Sequence, residues 1–191
     1  MTKATSLYFI ALVVGEGPLR DSIVALQHDF ADRFESKRSL RIVPHITLKA
    51  PFEFPASAQN DLLDWFRSIP IDCKSLNISI RGFGCFKKAK SPVIFLKVSP
   101  DRPLSIWQEE ILSSYRARFH ESSPDDDRPF TPHITIAYRD LSKEQFTRAW
   151  TEYVQKDFSA EFEAREISLL QQIAGRWQVI KCQPFSKETS V

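Results

Sequence analysis

Residues 6–14, SLYFIALVV, are apolar or aromatic almost without a gap, the pattern of a strand buried on both faces. Gly15-Glu16-Gly17-Pro18 breaks that run, and LRDSIVALQHDFADRF follows with Leu19, Ile23, Leu26, Phe30 and Phe34 at helical spacing. A strand is predicted next over PHITL, closed by Pro51 and Pro55, and a short helix over SAQNDLLDWFRSI. In LNISIRGFGCF, Leu76, Ile78 and Ile80 alternate with polar residues, while Gly82 and Gly84 permit a bulge or bend. PVIFLKV then supplies the return strand of a hairpin whose turn carries the lysines of FKKAK. A helix over PLSIWQEEILSSYRARF, a loop over HESSPDDDRPFTP and a strand over PHITI come next. The helix SKEQFTRAWTEYVQ opens on Ser142 with Glu144 and Gln145 placed for capping. Two closing strands, FEAREISLLQQ and RWQVIKCQPF, are joined around Gly175.

One word occurs twice on this pattern. Pro44-His45-Ile46-Thr47-Leu48 returns as Pro132-His133-Ile134-Thr135-Ile136, and the two copies hold two of the chain's four histidines. Average residue usage produces such a repeat, histidine included, in about one chain in a hundred of this length. The elements around each copy run in the same order: helix, His-x-Thr strand, helix, strand, strand. A shared order of elements implies two related halves rather than a chance repetition.

The chain has 191 residues, 42% of them hydrophobic and 26% charged, as a globular protein requires, and is read as one domain over 1–191. A formal charge of +2 excludes a general polycationic surface, so nucleic-acid binding cannot be argued from net charge. Cys73, Cys85 and Cys182 are odd in number and widely spaced, which fits small buried fillers in a reducing compartment and a cytoplasmic location. SLYFIALVV lacks the cleavage pattern of a signal peptide, and no run approaches the apolar length of a membrane span, so no membrane partner is expected.

On a strand, side chains alternate, so His45 and Thr47 share one face while Ile46 and Leu48 enter the core. His133 and Thr135 are set against Ile134 and Ile136 in the same way. Lys49 continues the polar face of the first strand and Arg139 extends that of the second. Two imidazoles and two hydroxyls in one cleft suit a phosphodiester. A neutral histidine takes a proton from the attacking water, and a protonated one gives a proton to the leaving oxygen. The hydroxyls donate hydrogen bonds to the non-bridging oxygens. Phe86, Phe130 and the FKKAK lysines are placed to stack a base and steer phosphates. A metal site is the rival use of histidine, but H-x-x-x-H, H-E-x-x-H and a carboxylate beside either word are all absent. The aspartates at 125–127 read as a solvated acidic turn. Dinucleotide, Walker and G-x-S-x-G fingerprints are also absent, and no cofactor is expected.

The two words, the opening SLYFIALVV and the closing FEAREISLLQQIAGRWQVI resemble the two-histidine phosphoesterase superfamily, which includes the 2′-5′ RNA ligase-like proteins and cyclic nucleotide phosphodiesterases. The resemblance implies an α+β fold of two pseudo-symmetric lobes, each with an antiparallel sheet and helices, and an active-site cleft between them. It implies His45, Thr47, His133 and Thr135 as the catalytic set, with a nucleotide or RNA end as substrate. The implied activity is metal-independent hydrolysis of a cyclic phosphate or a 2′-5′ phosphodiester. Binding without turnover and 2′-5′ ligation at the same site are the alternatives, and both pairs being intact argues against the first. A near-symmetric pair leaves open which histidine is acid and which is base. A monomer is expected.

Overall fold

The computed structural model of the protein describes residues 4–71, 74–87, 91–99, 102–121, 126 and 128–185. In chain order the elements are β1 (Thr5–Val13), α1 (Pro18–Phe34), β2 (His45–Pro55), α2 (Gln59–Ser68), β3 (Leu76–Phe86) and β4 (Val93–Val98). They continue with α3 (Arg102–Phe119), β5 (His133–Ala137), α4 (Lys143–Tyr153), β6 (Ser159–Ala164), β7 (Glu166–Ile173) and β8 (Arg176–Pro184). The strands form one curled antiparallel sheet in the order β6-β3-β4-β5-β2-β1-β7-β8. The α+β class and paired halves are as expected, and the two sheets join into one along β2 and β5.

Local chemistry accounts for the elements. Pro18 opens α1 with its φ already set, and the helix buries Ile23, Gln27, Phe30, Ala31 and Phe34. The Ser142 side chain accepts a hydrogen bond from Gln145 N at 3.1 Å, capping α4 as its sequence predicts. Ala174 and Gly175, at φ 49° and 75°, make the tight turn between β7 and β8. Gly82, at φ 64°, sits at the register shift between Ile80 and Phe83 where β3 bends against β4. On β1, Tyr8, Ile10 and Leu12 enter the main core, while Phe9 and Ala11 pack with Leu170 on the other face. This is why the opening strand shows no polar alternation. No helix among the described residues is long and apolar enough to cross a membrane.

Two expectations about the strands need correction. FEAREISLLQQ is not one strand: it splits at Arg165, with β6 pairing β3 at one edge and β7 pairing β1 in the other half. The hairpins are exchanged crosswise, so β3–β4 lies beside the second His-x-Thr strand and β7–β8 beside the strand that flanks the first. Of the two prolines expected to close the first strand, Pro55 does so and Pro51 does not. β2 runs on to Pro55, and Pro51 sits within it where the register against β1 shifts. Beyond Ile46, β2 pairs only with β1, and a proline missing its N–H is tolerated on that open side.

The same bulges move Lys49. β1 advances from Tyr8 through Ile10 to Ala11 while β2 passes from Phe52 through Lys49 to Thr47, so β2 holds extra residues and its alternation slips. Lys49 therefore leaves the polar face and enters the core beside Leu48, fully buried. Its ammonium lies 2.8 Å from Asp126 Oδ2 and 4.1 Å from the centroid of Tyr115. Asp126 is itself buried, so this member of the acidic run is an anchor rather than a solvated side chain, while Asp125 and Asp127 lie outside the described residues. Burial pulls the Lys49 pKa down, and the hydrogen bond to Asp126 opposes that pull. Removing one member strands the other charge in the core. Asp126→Ala is expected to cost about 3–5 kcal/mol in equilibrium denaturation, and the double change Lys49→Met with Asp126→Leu much less. Equal losses in the two proteins would show that the ion pair does not govern this site.

Candidate active site

At the middle of the sheet β2 and β5 run antiparallel, with Ile46 opposite Ile134. Both isoleucines are fully buried in the core, so His45, Thr47, His133 and Thr135 turn to the opposite face. Extending this register by one residue in each direction sets His45 across from Thr135 and Thr47 across from His133. Each imidazole thus stands about 5 Å, Cα to Cα, from the hydroxyl residue of the other word. A pseudo-twofold passes between the pairs.

The two rings are held alike. His45 Nδ1 lies 2.8 Å from Val43 O, and His133 Nδ1 lies 2.7 Å from Thr131 O, each carbonyl two residues upstream. A carbonyl only accepts, so each Nδ1 carries the proton and donates it, leaving Nε2 to exchange protons. An aromatic ring from the neighbouring strand supports each imidazole: Phe9 of β1 at 4.9 Å from His45, and Phe95 of β4 at 4.8 Å from His133. Trp177 packs edge-on against Phe9 at 4.7 Å, and Phe86 stands 4.5 Å from Phe95 and 5.0 Å from His133. Phe95 reaches its position by lying over Gly84, its partner on β3. A Cβ there would come within 2.7 Å of Phe95 Cζ, so only glycine leaves room for the ring.

Burial sets the proton affinity of the first ring. His45 is pushed down from 6.5 to about 4, chiefly by burial and further by His133, against the opposing hydrogen bond to Val43. It is neutral throughout the neutral range.

His45, Thr47, Thr135 and Arg139 line a cavity of about 160 Å³ together with Tyr138 and Trp177. Thr47 also lines a second cavity, of about 440 Å³, with His133, Phe86, Phe130 and Arg128. The two are halves of one cleft joined at Thr47. Of the described residues named from the sequence for the site, Lys49 lies away from it, buried against Asp126, and the exposed Lys87 lines neither cavity. Lys88 and Lys90 of FKKAK lie outside the described residues, as does Cys73. Arg139 adopts φ 63° in a turn closed by Asp140 N to Tyr138 O at 2.8 Å. The Asp140 carboxylate fastens that turn by accepting from Ser36 Oγ, Lys37 N and Arg38 N, each at 2.9 Å.

Phe9, Phe95, Tyr138, Trp177 and Gln27 were not singled out from the sequence. Gln27 had a signal, an amide within the apolar stripe of α1, and its Nε2 donates to Thr135 O at 3.2 Å. The aromatics had none, because ring and strand partner are brought together only by the sheet. Burial raises the pKa of Cys85 and Cys182, which disfavours the thiolate form a nucleophile needs. Among the described residues no group of three or more His, Cys, Asp or Glu could hold a metal ion.

Comparison with known proteins identifies the family and the fold. Residues 16–176 match the model of the 2′-5′ RNA ligase superfamily. A candidate phosphoesterase of Oceanobacillus iheyensis is 30% identical over 143 residues, 74% of this chain and 78% of that protein. Another, from Geobacillus kaustophilus, is 31% identical over 156 residues, 79% of this chain and 85% of its own length. Among solved structures, TT0787 of Thermus thermophilus superposes with a TM-score of 0.72 at 20% identity, covering 95% of this chain and 99% of that one. Escherichia coli LigT in complex with 3′-AMP gives 0.70 at 19% identity, covering 96% and 100%.

Two measurements check the site. In NMR titrations the His45 ring is expected to stay neutral until the pH falls toward about 4, because its folded pKa is depressed. A midpoint in the ordinary range near 6.5 would contradict the burial argument. Gly84→Ala is expected to shift the His133 ring resonances and leave those of His45 in place. Unmoved His133 signals in a folded variant would remove Phe95 as its support.

Proposed function

The chain belongs to the 2′-5′ RNA ligase superfamily, and from that membership we propose that it is a phosphodiesterase hydrolysing a cyclic phosphate or 2′-5′ phosphodiester of a nucleotide or RNA end. The observation that carries this reading is the matched pinning of the two rings. Each Nδ1 is committed to its own upstream carbonyl, so the proton-exchanging Nε2 of each ring is left for the cleft. The 3′-AMP bound by E. coli LigT supports a nucleotide as substrate.

In this reading His45 is the base and His133 the acid. His45, neutral at physiological pH, accepts a proton from the attacking water at Nε2. As the new P–O bond forms, the bond to the leaving sugar oxygen breaks on the opposite side of phosphorus. His133, protonated at Nε2, gives its proton to that oxygen. The sum consumes one water, and exchange with solvent resets both rings. Thr47 and Thr135 donate hydrogen bonds to the non-bridging oxygens, where negative charge builds up. Phe86 and Phe130 offer faces for a base on the His133 side, and Arg139 a charge on the His45 side.

The test is turnover of nucleoside 2′,3′-cyclic phosphates and cyclic-phosphate-ended RNA by chelator-treated protein, where full activity is expected. His45→Ala and His133→Ala are each expected to lose about 10²- to 10⁴-fold in kcat, with smaller losses for Thr47→Ala and Thr135→Ala. A folded His45→Ala or His133→Ala variant with near wild-type turnover would refute the acid–base pair. Because His45 titrates at about 4, the acid limb of kcat/KM is expected well below the ordinary histidine range, each limb reporting the coupled pair. An acid limb at pH 6–7 would assign the base elsewhere.

A further inference from the structure

The halves of the cleft, alike at the histidines, differ just beyond them. On the His133 side the cleft continues over Phe86, Pro129 and Phe130. On the His45 side it opens into a groove of about 370 Å³ between α1, the turn Arg38–Arg41 and the start of β8. Arg20, His28, Arg41 and Arg176 line this groove, and Gln27 and Trp177 are shared with the catalytic cleft. Among the described residues no acidic side chain lines it. Arg41 and Arg176 are exposed and make no ion pair among the described residues. Arg20 pairs with Glu16 at 3.6 Å, but that carboxylate is 95% exposed, so a ligand displaces it at little cost. With a formal charge of only +2 on the whole chain, two arginines without an ion pair and a third whose partner is exposed are a local concentration, not a sample of the bulk.

The cations are also held on fixed elements. Arg176 and Trp177 follow the Ala174-Gly175 turn directly. Arg41 ends the turn whose first amides are fastened by the Asp140 carboxylate. A single-stranded nucleic acid asks for this combination of an aromatic face and a cationic track.

We propose that this groove is a second phosphate subsite, which makes the substrate an oligoribonucleotide rather than a mononucleotide. This rests on the phosphodiesterase reading. The terminal phosphate sits between His45 and His133. The chain leaves past Trp177, which stacks a base, and the next phosphates lie among Arg41, Arg176 and Arg20. Binding is then governed by chain length and salt, and the pseudo-symmetric cleft acquires a direction.

The experiment compares wild type with the double variant Arg41→Gln, Arg176→Gln. The substrates are a nucleoside 2′,3′-cyclic phosphate, the same compound with a 5′-diphosphate, and a tetraribonucleotide ending in a 2′,3′-cyclic phosphate. Wild type is expected to show the lowest KM for the tetranucleotide, and the variant to raise that KM at least tenfold while turning over the cyclic mononucleotide within twofold of wild type. Binding of a fluorescent tetraribonucleotide 3′-phosphate, followed by anisotropy, is expected to lose about 1.4 from its log–log salt slope in the variant, at about 0.7 per phosphate contact. An unchanged slope and unchanged tetranucleotide KM would overturn the proposal. So would a 5′-diphosphate mononucleotide that gains as much as the tetranucleotide, since the groove would then read a polyphosphate rather than a chain. If wild type hydrolyses none of the three, the phosphodiesterase reading fails, and the anisotropy arm still decides the groove.

Discussion

A single backbone pairing, Ile46 opposite Ile134, is the constraint on which the site depends. It brings the two His-x-Thr words together at the centre of the sheet and sends both isoleucines into the core. Since side chains alternate, it also fixes which face the histidines take. A one-residue slip of either strand would bury its imidazole and hydroxyl and expose its isoleucines, which the apolar core forbids. The energetics of the core and the geometry of the site are therefore set by the same register.

Symmetry supplies like parts, and departures from symmetry set their surroundings apart. Both imidazoles are pinned through Nδ1 and supported by a phenylalanine from the flanking strand. The His133 ring has Phe86 as well as Phe95 against it, while the His45 ring lies against Phe9, itself backed by Trp177, and is buried enough to stay neutral. Two like groups whose environments differ in this way are suited to act as acid and base in one reaction. The surroundings diverge further outward, into an aromatic side and a basic side.

The repeated word, the alternation within it and the helices were legible in the sequence because each is local. Ser142 capping α4 and Gly175 turning β7 into β8 needed only a few neighbouring residues. The crosswise exchange of hairpins was not legible, since nothing in FEAREISLLQQ marks Arg165 as the point where the chain passes from one half of the sheet to the other. Lys49 was misplaced for a related reason. Strict alternation assigns it to the cleft, and the bulge that overrides alternation is a property of two paired strands, β1 and β2, rather than of either alone. Asp126 read as solvated because its partner lies far away in sequence. Phe95 over Gly84 is likewise a cross-strand fact.

In the proposed mechanism both Nε2 atoms meet one phosphate while both Nδ1 atoms stay committed to the backbone. Nitrogen-15 NMR of the histidine-labelled protein, titrated with inorganic phosphate or vanadate, tests it most directly. The Nε2 resonances of His45 and His133 are expected to move together with one affinity, and each Nδ1 is expected to remain a protonated donor throughout. A single responding ring, or a response through Nδ1, would contradict it.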